Sequence, residues 1–116
     1  MADWFTRPVV HVANIEAALA FYVDQLALTV AWRYAEDGRA RVVEVGRAGC
    51  ALILSDQWPA KVGTGILFVS LEGDVDTLRA ELAARDVPLS ETQWGYRCLV
   101  VRDPDGNELY FPYPNP

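Results

Sequence analysis

The stretch Trp94-Gly95-Tyr96-Arg97-Cys98-Leu99-Val100-Val101-Arg102-Asp103-Pro104-Asp105-Gly106-Asn107-Glu108-Leu109-Tyr110-Phe111 reads as a strand, a tight turn and a second strand. Proline presets φ at the first corner of such a turn, and glycine or asparagine takes the residue that needs φ > 0. Working outward, the same grammar recurs. Val9-Val10-His11-Val12 is a short strand, and Ala13-Asn14 supplies a helix N-cap. Ile15, Leu19, Tyr22 and Leu26 follow at the spacing of an amphipathic helix. Strands from Thr29 to Tyr34, Ala40 to Val45 and Cys50 to Ser55 come next, separated by turns at Glu36-Asp37-Gly38 and Gly46 to Gly49.

After a link from Asp56 to Gly65 the order returns: a strand from Ile66 to Leu71, then a helix opened by Gly73-Asp74 and carrying Val75, Leu78 and Leu82. Val87-Pro88-Leu89 is expected to be a short, proline-marked strand fit only for an edge or a strand start. The Tyr96–Val101 and Glu108–Phe111 strands complete the set, and the tail from Pro112 is expected not to continue a ladder. Each half thus has the order strand, helix, three strands. A half of this size cannot bury a sheet face alone, so two must share a core or pair between chains. The expected fold class is α+β: two tandem βαβββ modules, about 5–57 and about 64–112 of a single domain 1–116, forming a curved mixed sheet around a cleft.

Composition narrows the function classes. The 116 residues are 52% apolar, enough for a packed interior. The formal net charge of −6 excludes the basic footprint that nucleic acid demands. No apolar run approaches the ~20 residues that span a bilayer. Met1 to Arg7 lacks the basic and apolar regions of a secretory signal, and Cys50 and Cys98 have neither metal-type nor redox-type spacing. A cytoplasmic, reduced protein is expected.

The layout from Val9 to Phe111 resembles the paired βαβββ modules of the vicinal oxygen chelate superfamily, which includes glyoxalases, extradiol dioxygenases and bleomycin resistance proteins. Its most specific pieces are Val12-Ala13-Asn14-Ile15-Glu16-Ala17-Ala18-Leu19-Ala20-Phe21-Tyr22 and the Asp103 to Phe111 hairpin. Metal-dependent members hold a divalent cation with His, Glu or Gln side chains. By the resemblance, those positions fall here on Arg7, Ile53, Ile66 and Tyr110. Arginine has no lone pair to give, isoleucine has no donor atom, and a phenol is a poor ligand. A shift of one residue brings in only leucines, and His11 and Glu108 are the sole plausible ligands nearby.

The resemblance is therefore closest to the metal-free bleomycin resistance group. Those proteins are homodimers that exchange parts of their modules and sequester a cationic drug in clefts at the interface. It implies a small-molecule ligand, a homodimer, and neither metal nor cofactor. The alternative it leaves is a glyoxalase-like lyase or dioxygenase with an altered metal site using His11 and Glu108; a partner domain is a third option.

Stacking a flat, partly cationic ligand needs aromatic faces with polar groups at the rim. Trp32 and Tyr34 share one strand face, Trp58 sits in the link, Trp94 opens the closing hairpin, and Phe68 and Tyr110 lie on cleft-lining faces. Asp56, ahead of Glu44 and Glu108, is the expected partner for a cation. Arg7 is read as an anchor for a carboxylate or phosphate. His11, the sole histidine, has no triad partner and joins the set as a binding residue. Ile53 and Ile66 complete it.

Overall fold

The computed structural model describes residues 4–71 and 73–114. In chain order the elements are β1 Val9–His11, α1 Ile15–Leu19, β2 Thr29–Glu36, β3 Arg39–Arg47, β4 Cys50–Ser55, β5 Ile66–Phe68, α2 Val75–Ala84, β6 Leu89–Trp94, β7 Tyr96–Arg102 and β8 Glu108–Pro112. The α1 helix runs on as a π-helical turn over Ala20–Gln25, closed by Leu26 N donating to Phe21 O at 3.0 Å. The strands form two four-stranded sheets with the orders β1-β4-β3-β2 and β5-β8-β7-β6. Both are mixed in the same way, since β1 runs parallel to β4 and β5 parallel to β8, while every other pairing is antiparallel. This is the expected doubled βαβββ order.

Local chemistry explains where the helices begin. Asn14 adopts extended backbone and its Oδ1 accepts from Ala17 N at 2.9 Å, while Asp74 Oδ1 accepts from Asp76 N at 2.9 Å. Ile15, Leu19, Tyr22 and Leu26 are all buried, as the helical stripe requires. They join Val10, Val43, Val45, Leu52 and Leu54 from one side of the first sheet, and Leu67, Leu99, Val101 and Leu109 from the second, in one core. Burying each such side chain contributes on the order of 1.5–3 kcal/mol, the main favourable term.

A buried polar latch ties the halves together. In the Asp103-Pro104-Asp105-Gly106 turn, Gly106 N donates to Asp103 O at 3.1 Å and Gly106 takes φ +96°. Asp103 Oδ1 accepts from the backbone N of Asp105 and of Asn107, each at 2.9 Å. Its Oδ2 accepts from Tyr22 Oη at 2.8 Å and from Asn107 Nδ2 at 2.9 Å. Asn107, fully buried, also donates to His11 O at 2.9 Å and accepts from Gly65 N at 2.8 Å. The link passes so close to the turn that a Cβ on Gly63 (φ +78°) would lie 2.3 Å from Asp105 O.

Three sequence expectations need correction. The strand expected from Ile66 to Leu71 ends at Phe68. The strand expected at Val87 to Leu89 runs instead from Leu89 to Trp94, although it is an edge strand as its proline required. The ladder also continues past Phe111, because Pro112 pairs with Cys98 at the sheet's end. Pro112 stands at the end of β8, two residues beyond its last pairing with β5, so its missing N–H interrupts no ladder there.

Candidate functional site

Strand parity decides which side chains share a face. In the first sheet, Val9, Ile53, Glu44 and Trp32 stand in one cross-strand row, and His11, Ser55, Val42 and Tyr34 in the next. Along β1, β3 and β4 the neighbours point the other way, into the core under α1, whereas on β2 Ala31 and Arg33 remain exposed. In the second sheet the rows are Ile66, Glu108 and Arg102, then Phe68, Tyr110, Val100 and Ser90. Each sheet therefore has one face packed in the core and one open face.

The open faces are aromatic. On the first, Trp32 and Tyr34 are 43% and 51% exposed. Trp32 Nε1 donates to Glu44 Oε1 at 3.0 Å, and the same oxygen lies 2.8 Å from Arg7 Nε. His11 meets the edge of the Trp58 ring at 5.4 Å between centroids, with Lys61 over that ring at 5.8 Å. On the second, Phe68 lies 5.6 Å from Trp94 and 6.0 Å from Tyr96, and Trp94 lies 6.0 Å from Tyr110. These are ordinary offset and edge-on separations, worth about 0.5–1.5 kcal/mol each beyond burial. Phe68, Trp94 and Tyr96 nonetheless remain exposed, with Ile66 beside them. Exposed aromatic patches of this kind commonly mark interaction surfaces. A cavity of about 1250 Å³ opens between the halves, lined among others by Arg7, Leu28, Leu52, Ile66, Phe68 and Leu82. At a volume somewhat above the ~300–1,000 Å³ usual for ligand pockets, it has room for a drug-sized molecule.

The structure thus brings Arg7, His11, Trp32, Tyr34 and Ile53 to one open face, with Trp58 packed on His11, and Ile66, Phe68, Trp94 and Tyr110 to the other. Asp56 stands apart. Its carboxylate is taken by Arg41 Nε at 2.5 Å and Arg39 Nη2 at 3.4 Å, so the acid expected to meet a ligand is already neutralised. Glu44 is the carboxylate that the open face holds, and Tyr96 is an aromatic that the sequence pattern left out. Glu44 was visible as a polar residue in an apolar strand, but only the pairing of β2 with β3 places it beside Trp32.

The fit to a divalent cation is poor. Ile53 and Ile66 offer no donor atom, and Arg7 fills its place with a cation paired to Glu44. Glu108 is engaged by Arg102 Nη2 at 2.9 Å. His11 Nδ1 is buried without a hydrogen-bond partner. Among the described residues no three His, Cys, Asp or Glu side chains converge as a metal site. Burial raises the thiol pKa of both Cys50 and Cys98, which are unpaired and behave as small hydrophobes. No helix among the described residues is long and apolar enough to cross a membrane.

A family model described as a glyoxalase superfamily protein matches residues 4–114. The chain belongs to the glyoxalase superfamily. No curated protein sequence matches significantly. Among solved structures, a bleomycin-binding protein from bleomycin-producing Streptomyces verticillus, complexed with copper(II)-bleomycin, is similar with a TM-score of 0.77 and 22% identity, over 99% of this chain and 100% of that one. TnmS3, an antibiotic-binding protein from Streptomyces sp. CB03234, has a TM-score of 0.74 and 23% identity, over 99% and 100%. Lactoylglutathione lyase from Agrobacterium tumefaciens has a TM-score of 0.73 and 20% identity, over 96% and 93%. At these identities the likeness shows the glyoxalase-superfamily fold, which is shared by binders and enzymes alike.

Proposed function

We propose that the protein binds and sequesters a planar aromatic drug or metabolite, as a homodimer in the cytoplasm and without metal or cofactor. One observation carries the reading: two open sheet faces display aromatic rings, while the four positions at which metal-dependent relatives place ligands hold Arg7, Ile53, Ile66 and Tyr110. The antibiotic- and bleomycin-binding neighbours support the same class of ligand. Sequestration needs affinity alone, so drug resistance follows if the ligand is toxic.

Exposure supports a dimer. Ile66 and Trp94 are each 60% exposed, and nearly every residue of β2 is exposed on both of its faces. A second copy that set the Trp32–Tyr34 face of one protomer against the Phe68–Trp94 face of the other would bury both and form two equivalent clefts. The free cysteines are in keeping with a reducing compartment. Titration with bleomycin and with a planar anthraquinone antibiotic should quench tryptophan fluorescence saturably. A flat response across such a panel contradicts the reading.

The alternative, a lyase or dioxygenase with an altered metal site, has the unpartnered His11 Nδ1 in its favour. Against it, Glu108 is held by Arg102. Stoichiometric zinc, iron, manganese or nickel in protein purified without chelator would establish it.

A further inference from the structure

Arg7 is braced so that one edge of its guanidinium stays available. Its Nε pairs with Glu44 Oε1 at 2.8 Å, and its Cζ lies 4.8 Å from the centre of the Phe5 ring. Glu44 is 8% exposed and is fixed in turn by the Trp32 indole at 3.0 Å. The Arg7 side chain still keeps 41% of its surface, and among the described residues its Nη groups donate no hydrogen bond. The same side chain lines the cavity that Ile66 and Phe68 line from the other half. A guanidinium presents parallel N–H donors matched to the two oxygens of a carboxylate. Held by Glu44 and Phe5 beforehand, this one loses little further freedom when it binds.

The surrounding charges select the sign of the ligand. Among the described carboxylates near the two open faces and the cavity, Glu44 is paired with Arg7, Asp56 with Arg41, Glu81 with Arg47 and Glu108 with Arg102, while Asp74 caps its own helix by accepting from Asp76 N at 2.9 Å and Thr77 Oγ1 at 3.3 Å. Arg47, which also lines the cavity, is spent on Glu81 and on Leu26 O. Arg7 is left as a cation with donors to offer. The net charge of −6 opposes an anion at long range, but screening removes that effect beyond roughly 8 Å at physiological salt. Local donors decide the matter.

We propose that Arg7 recognises a carboxylate on a planar aromatic ligand, whose ring system lies against Ile66 and Phe68. This rests on the binding function proposed above and adds the ligand's charge and orientation, reversing the expectation of a cationic ligand.

Three probes test it by tryptophan quenching: anthraquinone-2-carboxylate, its methyl ester, and the cationic 9-aminoacridine. In the unmodified protein the carboxylate should bind about tenfold more tightly than the ester, the usual worth of a good charge-assisted contact, and more tightly than the cation. In Arg7→Gln the carboxylate should fall to the ester's affinity while the ester is unchanged. Arg7→Lys should recover only part of the preference, since a point charge lacks the fork. Should Arg7→Gln fold poorly, the ranking in the unmodified protein still decides. An ester or acridine that binds as tightly as the carboxylate overturns the role of Arg7 and leaves the planar-ligand function standing. Failure of all three probes and of bleomycin removes both.

Discussion

Replacing Asn107 by alanine removes the side chain that joins the two halves at a fully buried point. Three hydrogen bonds disappear: Nδ2 to Asp103 Oδ2 at 2.9 Å, Nδ2 to His11 O at 2.9 Å, and Gly65 N to Oδ1 at 2.8 Å. Each contributes about 1 kcal/mol net, and leaving the His11 carbonyl and Gly65 amide without partners adds to the loss. Asp103 keeps its bonds from Tyr22 Oη and from the backbone N of Asp105 and Asn107, so its carboxylate is not orphaned. The expected destabilisation is about 3–4 kcal/mol, a large part of the ~5–15 kcal/mol that holds a domain of this kind. Urea unfolding followed by tryptophan fluorescence reads it as a lower midpoint at unchanged slope. Asn107→Asp is the sharper companion. It keeps the acceptor for Gly65 but sets a second carboxylate against Asp103, so its penalty should shrink as pH falls toward the carboxylate range. A loss below about 0.5 kcal/mol for Asn107→Ala would refute the latch, because that is the scatter of an ordinary surface substitution.

Other expectations follow from the same contacts. Tyr22→Phe removes only the 2.8 Å bond to Asp103 and should cost about 1 kcal/mol by the same unfolding assay. The phenol's pKa is pushed far above its usual value, first by burial and then by the Asp103 carboxylate, so no tyrosinate absorbance from Tyr22 should appear before alkaline unfolding. Leu54→Ala, at a fully buried position under α1, should cost about 2–5 kcal/mol. Hydrogen bonding from Arg47, aided by Arg85, holds the Glu81 carboxyl at about 2 against a usual 4.5. Its contribution is therefore complete above pH 4.5 and lost as pH falls through about 2; being partly in solvent, it amounts to no more than about 1 kcal/mol. Glu81→Gln should accordingly flatten the acid limb of a stability–pH curve. Trp94→Ala should weaken a planar ligand about fivefold to tenfold in a fluorescence or calorimetric titration, one stacking contact's worth, and cost about 1 kcal/mol of stability through the lost contacts with Phe68 and Tyr110.

Much of the fold was legible because the punctuation is local. Asn14 and Asp74 announce helix starts, and Asp103 to Gly106 announces a turn whose proline and glycine fit one backbone path. The Ile15–Leu19–Tyr22–Leu26 stripe names the buried side of α1 without further help. What could not be read depends on partners far along the chain. Strand β6 carries Ser90, Glu91, Thr92 and Gln93 at an edge, where pairing to β7 on one side supplies the order that apolar alternation normally reveals. The same holds for the acidic site residue. Asp56 looked free because Arg39 and Arg41 lie on the neighbouring strand, and Glu44 ranked behind it because Arg7 and Trp32 reach Glu44 only once the first sheet is paired. The contact of Tyr22 with Asp103 spans 81 positions and has no local signature.

The most direct test of the binding function is a tryptophan-fluorescence titration with a planar aromatic carboxylate, run with and without a strong chelator. Saturable quenching at about one ligand per chain, unchanged by the chelator, is expected of a cleft lined by Arg7, Ile66 and Phe68 with Trp94 5.6 Å from the Phe68 ring. Binding that vanishes with the chelator, or no quenching at any concentration, would contradict it.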